Sequence, residues 1–337
     1  MEERILRGRR GLGRGRVGRQ GGSRLTRREW LWLAAGAGSA PAGAQEPTFR
    51  VDVRLVRLLA TVKDQRGAPV GGLAREDFQI ADNGVAQEVA LFERHTEQPL
   101  SVALLMDASA STGKELKFQL DSVRKFLGAM FREGNPKDTV SFYTFNYEVV
   151  QAVGFSRRLT RFEEAMKNIK PEGGTSLYDA LYIAAEDLEP RDGRHVIVVV
   201  TDGGDTTSAK KFQDALRAVH MADAAIYTIL VVPIATEAGR NIGGENALET
   251  LSSQTGGRVF APTIGAQLDR AFSDILADLR TQYLLGFYPR NVPKTKDRFH
   301  RLTLSVPGQG YRVVSRTGYF GEYEPDEPEP RRGPLKK

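Results

Sequence analysis

Apolar residues fall into three regimes along this chain. From Phe49 to Arg94 they alternate with polar ones, as in Val51, Val53 and Leu55, and Asp82-Asn83-Gly84 reads as a hairpin turn between Phe78-Gln79-Ile80 and Val89-Ala90-Leu91-Phe92. From Leu100 the apolar runs become nearly continuous and alternate with helical stripes. Leu116, Leu120, Val123, Leu127 and Met130 lie on one stripe, Phe212, Leu216 and Val219 on a second, and Leu268, Phe272, Ile275 and Leu279 on a third. The strands between them are Thr139 to Phe145, Val149 to Phe155, Val196 to Val200, Ala225 to Val231 and Arg258 to Phe260. Strands that are apolar on both faces and alternate with helices predict an α/β fold, a doubly wound and mostly parallel sheet covered on each side. Past Tyr283 the β pattern returns in Tyr283 to Tyr288, Arg301 to Val306 and Tyr311 to Val314.

Neither β flank can bury a good core alone, since each offers only about 40 residues. They are expected to pair into one small β-sandwich, with the α/β domain inserted between its halves. The expected division is residues 45–96 and 281–321 for the sandwich, 97–280 for the α/β domain, and a Pro-rich, mixed-charge, disordered tail over 322–337. Tyr283, Phe287, Tyr288, Tyr319 and Phe320 could form an aromatic platform, but the β alternation around them favours packing inside the sandwich.

Chemistry gathers where the apolar runs of the α/β domain end. Leu100 to Met106 closes on Asp107-Ala108-Ser109-Ala110-Ser111-Thr112, and Val196 to Val200 closes on Thr201-Asp202-Gly203-Gly204-Asp205. Between them, Gly173-Gly174-Thr175-Ser176 opens a helix. In an open α/β sheet, ligands bind beyond the carboxyl ends of the strands, near the point where the strand order reverses. Three such loops offer hard oxygen donors and nothing else, which suits Mg2+, a small cation that prefers octahedral oxygen ligands and retains some of its water. Either aspartate alone would read as a turn or cap residue. Asn146 and Asp205 read as turn or supporting residues rather than ligands.

Asp-x-Ser-x-Ser, then Gly-Gly-Thr, then a hydrophobic strand ending in Thr-Asp-Gly resembles the metal-ion-dependent adhesion site of von Willebrand factor type A domains, over roughly residues 97 to 280. The resemblance fills its five metal positions with Asp107, Ser109, Ser111, Thr175 and Asp202. It implies that the two serines and Thr175 bind the ion directly and that the aspartates act largely through water. One position would stay open for an Asp or Glu carboxylate from a protein partner. Mn2+ and Ca2+ are the alternatives to Mg2+. Ala110 stands where many relatives carry Gly, and Asp205 adds a nearby charge, but neither removes a ligand. The flanks resemble exported bacterial proteins of the acidobacterial VWFA-related type, through the opening that runs from Val51 to Gly67 and through Tyr283-Leu284-Leu285-Gly286-Phe287-Tyr288-Pro289.

Composition narrows the function. The chain has 337 residues and no cysteine, which excludes disulfides, thiolate metal sites and a cysteine nucleophile. Its formal charge of +6 is localised: residues 1–44 hold ten Arg and three acidic residues, and the remainder carries 38 basic against 39 acidic residues. A body so close to neutral argues against a nucleic-acid partner. Thr26-Arg27-Arg28-Glu29-Trp30-Leu31, the apolar stretch Trp30 to Ala40 and Ala42-Gly43-Ala44 together resemble a twin-arginine export signal over residues 1–44. That apolar stretch is too short to span a bilayer, so the mature chain is expected to carry no transmembrane segment and to be periplasmic, cell-surface or secreted.

Other motifs lose their meaning in context. Gly13-Arg14-Gly15-Arg16-Val17-Gly18 matches a dinucleotide-binding pattern, yet no strand precedes it. Ser111-Thr112-Gly113-Lys114 lacks the first Gly and the closing Ser/Thr of a phosphate-binding loop. His95, His195, His220 and His300 stand apart with no metal spacing, and no Gly-x-Ser-x-Gly elbow exists. No catalytic residue is assigned, and the chain reads as a non-enzymatic, metal-dependent protein-binding module outside the cytoplasm. The alternatives are a structural subunit of an envelope complex whose metal staples three loops, and a metal-assisted hydrolase.

Overall fold

The computed structural model describes residues 55–94, 98–231, 241–262, 266–293, 295–308 and 310–321. The export signal, Val51, Val53, His95 and the tail 322–337 lie outside the described residues.

Six strands form the central sheet: β5 (Leu100–Asp107), β6 (Thr139–Phe145), β7 (Val149–Ser156), β8 (Arg194–Thr201), β9 (Ala224–Leu230) and β10 (Val259–Phe260). Their order is β10-β9-β8-β5-β6-β7, and every neighbour is parallel except the β6/β7 pair. Among the described residues six α-helices accompany them: α1 (Leu116–Glu133), α2 (Leu159–Met166), α3 (Leu177–Leu188), α4 (Phe212–Met221), α5 (Ile242–Thr255) and α6 (Ala266–Thr281). Side chains alternate across a strand, so one sheet feeds two cores. Val102, Leu104, Met106, Val196, Val198 and Val200 pack with Val123, Phe126 and Leu127 of α1 and with Ile275 and Leu279 of α6. Ala103, Leu105, Ile197 and Val199 point the other way, onto Leu181 and Ala184 of α3, Val219 of α4 and Leu248 of α5. All residues of β5 and β8 are buried, which is why both read as unbroken apolar runs. From β5 the chain moves to β6 on one side and returns to β8 on the other. The carboxyl ends of β5 and β8 therefore lie side by side where the strand order reverses.

The flanks build two antiparallel sheets. β1 (Val56–Lys63), β2 (Gln79–Asp82), β3 (Val85–Gln87) and β4 (Leu91–Glu93) precede the α/β domain, and β11 (Tyr283–Phe287), β12 (Phe299–Ser305), β13 (Arg312–Val314) and β14 (Gly318–Phe320) follow it. The sheet orders are β13-β1-β11-β4 and β14-β12-β2-β3, so each sheet takes strands from both flanks. Val56, Leu58, Ala60 and Val62 of β1 meet Ile80, Tyr283, Leu285, Phe287, Leu302 and Tyr319 in one shared core. The opposite face of β1 turns toward the α/β domain, where Lys63 Nζ reaches Asp278 Oδ1 of α6 at 2.8 Å.

Two expectations from the sequence are corrected here. The hairpin turn is at Asn83-Gly84, both left-handed with φ of +47° and +81°, but it joins β2 to Val85–Gln87. Leu91–Glu93 crosses to the other sheet and pairs with β11, because a two-residue turn fixes the register before Val89 is reached. Tyr288, expected in the sandwich core, is 46% exposed, since it falls one residue past the end of β11.

Candidate metal centre

β5 and β8 deliver the first part of the site. Their register pairs Met106 with Val200, so Asp107 and Thr201 end neighbouring strands. The Thr201 hydroxyl donates to Asp107 Oδ2 at 2.6 Å, and the Ser109 N–H donates to Asp107 Oδ1 at 2.8 Å. Both oxygens of a fully buried carboxylate are thus oriented by neutral groups. Beyond it, a 3-10 turn over Ala110–Lys114 leads into α1, held by the Thr112 hydroxyl on the Ser109 carbonyl at 2.9 Å. Ser109 Oγ and Ser111 Oγ lie 3.0 Å apart.

Thr175 arrives on a loop tied to all of its neighbours. The Glu172 N–H donates to the Ala108 carbonyl at 2.9 Å and the Ala110 N–H to the Gly173 carbonyl at 3.3 Å. The Ser176 N–H donates to the Asn146 carbonyl at 2.6 Å, at the tip of the β6/β7 hairpin. On the other side, the N–H groups of Thr206 and Thr207 donate to the Thr175 carbonyl at 2.8 and 3.2 Å, and the Thr175 N–H donates to Thr206 Oγ1 at 2.8 Å. The three loops are therefore joined by protein hydrogen bonds.

The electrostatics leave a charge to be met. Burial pushes the Asp107 carboxyl up to about 6, against the hydrogen bonds from Ser109 and Thr201, and the Asp202 charge adds to the rise. Burial raises Asp202 as well, with the Ser111 hydroxyl opposing. Among the described residues neither carboxylate makes an ion pair, an unfavourable state for the buried Asp107 beside the half-buried Asp202 that a cation would relieve. The donor spacing suits one: adjacent oxygens of an octahedral shell at about 2.1 Å from Mg2+ sit about 3.0 Å apart. No group of three or more His, Cys, Asp or Glu side chains poised for a metal occurs among the described residues, so this hydroxyl-rich set is the candidate.

Asn146 and Asp205 serve the loops. Asn146 Oδ1 accepts from the Glu148 N–H at 2.8 Å, and Asp205 Oδ1 accepts from the Tyr178 N–H at 3.2 Å in the first turn of α3. The described histidines lie elsewhere. His195 sits near the amino end of β8, between the Ala222 and Arg191 carbonyls; His220 packs against Phe299 and Phe320; and His300 stacks on Tyr319 beside Asp82.

The model of the von Willebrand factor type A domain matches residues 101–274, more than half of the 337-residue chain. The chain belongs to the von Willebrand factor type A family. Members of this family are protein-interaction and adhesion modules. Among solved structures, the PilB minor pilin from Streptococcus sanguinis is similar at 13% identity with a TM-score of 0.45, over 55% of this chain and 62% of that one, so this chain spans less than two thirds of the pilin. The vWF domain of the type V pili tip protein Mfa5 from Porphyromonas gingivalis shares 14% identity at a TM-score of 0.43, over 53% of this chain and 94% of that one. A von Willebrand factor type A protein from Catenulispora acidiphila shares 10% identity at a TM-score of 0.45, over 80% and 75%. No curated protein matches the chain.

Within this type A domain, sequence reading missed Thr201 and Thr206, which hold Asp107 and Thr175 from behind. Thr201 had a readable signal. A hydroxyl that ends a wholly apolar strand, beside another strand ending in a carboxylate, is placed to orient it. Thr206 had none, because its partner is a backbone group 31 positions away.

Proposed function

We propose that this type A domain protein acts outside the cytoplasm as a metal-dependent protein-binding module. Ser109, Ser111 and Thr175 hold Mg2+ directly, with Asp107 and Asp202 completing the shell largely through water. The observation that carries this reading is the pair of serine hydroxyls 3.0 Å apart beside the buried Asp107 and half-buried Asp202 carboxylates, which make no ion pair among the described residues. Neutral hydroxyl ligands leave the ion much of its charge, so an Asp or Glu of a partner can take the remaining position. The inter-loop hydrogen bonds support binding over stapling. Loops already tied through Ala108, Gly173, Thr175 and Thr206 have little need of an ion to hold them. The role is binding rather than turnover. Export rests on Arg27, Arg28 and Ala42-Gly43-Ala44, and N-terminal sequencing of the mature protein should begin close to Gln45.

The test is capture from envelope extract by immobilised full-length protein, in Mg2+ and in EDTA, with Thr175→Ala alongside. Retention of a partner in Mg2+ that is lost both in EDTA and in Thr175→Ala is the expected outcome. Capture that survives both treatments would place the interaction on another face.

A further inference from the structure

Two large apolar side chains stand exposed on either side of the candidate metal centre, and neither contributes to the cores. Tyr147 is 55% exposed and Ile242 is 64% exposed. The topology sets their positions. Tyr147 is at the tip of the β6/β7 hairpin, and Ile242 opens α5 after the chain has left β9. In the order β9-β8-β5-β6, the carboxyl ends of β8 and β5 carry Asp202 and Asp107, so the two apolar residues flank the acidic pair on opposite sides.

Both are held in place by the backbone around them. The Asn146 N–H donates to the Glu148 carbonyl at 2.9 Å and the Asn146 carbonyl accepts from Ser176, which clips the hairpin tip onto the Thr175 loop. Gly173, with φ of +74°, lies directly against the Tyr147 ring, and a Cβ there would overlap it. The ring is thus seated on the loop that carries Thr175. On the other side, Asn241 Oδ1 accepts from the Gly244 N–H at 2.9 Å and fixes the first turn of α5. Gly244 meets Gly204 backbone to backbone, leaving no room for a Cβ on either, so Ile242 is held beside the loop that follows Asp202. Fixed and exposed apolar side chains lose little entropy on binding, and tyrosine is enriched among the residues that dominate interfaces. Glu148 and Glu172, both exposed next to Tyr147 and Gly173, would repel a second acid on that side.

We infer that the partner presents a single Asp or Glu flanked by large apolar side chains, with Tyr147 and Ile242 as the residues that select it over an acidic run. This rests on the metal-dependent reading above. The acid would meet the ion, and its apolar neighbours would cover Tyr147 on one side and Ile242 on the other.

The probes are three immobilised synthetic peptides offered to the full chain in Mg2+: one Asp between Leu and Phe residues, one Asp between Ser residues, and the Leu/Phe peptide with Asn for Asp. The Leu/Phe peptide with Asp should bind about tenfold or more tightly than the Ser peptide. Tyr147→Ser and Ile242→Ser should each remove most of that difference while calorimetry gives an unchanged Mg2+ affinity. Equal affinity for the two Asp peptides, no binding of either by the Mg2+-loaded protein, or full binding by both serine variants would overturn the inference. A wild-type chain that does not bind Mg2+, or that holds the Asn peptide as well as the Asp peptide, would instead overturn the metal-dependent reading.

Discussion

The two ends of the central sheet treat buried charge in opposite ways. At the amino ends of the strands, where the sandwich docks, charged groups are matched. Asp278 of α6 takes Lys63 Nζ at 2.8 Å and Arg258 Nε at 2.9 Å, Arg316 pairs with Asp223 and with the Arg57 carbonyl, and Arg194 donates to the Leu279 carbonyl at 2.5 Å. At the carboxyl ends, the buried Asp107 and the half-buried Asp202 lie beside one another with hydroxyls and N–H groups for company and no ion pair among the described residues. A matched set fixes how two bodies pack, whereas an unmatched one is poised for a ligand. The same contrast predicts that neutralising an acid should do harm at one end and little at the other.

The largest effect belongs to the matched end. Asp278→Asn would leave Lys63 and Arg258 without their carboxylate, and urea unfolding should show a loss of about 3 kcal/mol, the lower end of what broken buried pairs cost because Arg258 keeps some water. A loss under about 1 kcal/mol would mean that the docking of the sandwich does not rest on this cluster.

Acid should probe the same interface. His220 of α4 is 3% exposed against Phe299 and Phe320, and neither ring nitrogen has a hydrogen-bond partner among the described residues. Burial, with the nearby Arg316 charge, lowers its pKa from 6.5 to about 4, while Asp223 opposes the shift. Between these values the unfolded chain binds a proton that the folded chain refuses. The stabilising contribution is therefore present above pH 6.5 and is lost as pH falls toward about 4. The loss attributable to this group should be about 3 kcal/mol across that window. Melting curves of His220→Phe should lose that portion of the pH dependence, and an unaltered profile would exclude His220 as its source.

At the unmatched end the effect is on ion affinity. Thr201→Val removes the 2.6 Å hydrogen bond to Asp107, and Mg2+ affinity by calorimetry should fall about tenfold to a hundredfold, as for other residues that orient metal ligands. Unchanged affinity would show that Ser109 alone suffices to orient the carboxylate.

These regions also differ in how far they can be read from sequence. The α/β core was legible because β5 and β8 are buried on both faces and long helical stripes such as Leu116 to Met130 repeat without interruption. The eight-residue α2 and the glycine-opened α5, with few buried apolar positions, left no comparable stripe. The loops bearing Asp107, Thr175 and Asp202 stood out because polar residues end apolar runs. The hydrogen bonds that bring those loops together link backbone groups far apart in the chain and leave no trace in residue type. The sandwich was harder. β4 and β14 have three residues each, and the partner of β2 was fixed by a two-residue turn rather than by hydrophobic pattern.

The most direct measurement is the stability of Asp107→Asn beside wild type, in EDTA and in Mg2+. In EDTA the variant should stay within about 1 kcal/mol of wild type, because an Asn carbonyl can still accept from the Ser109 N–H and the Thr201 hydroxyl can turn to accept from the Asn amide. At Mg2+ a hundredfold above Kd the wild type should gain about 2.7 kcal/mol and the variant close to nothing. A variant that gains as much as wild type, or a wild type that gains nothing, would contradict the account.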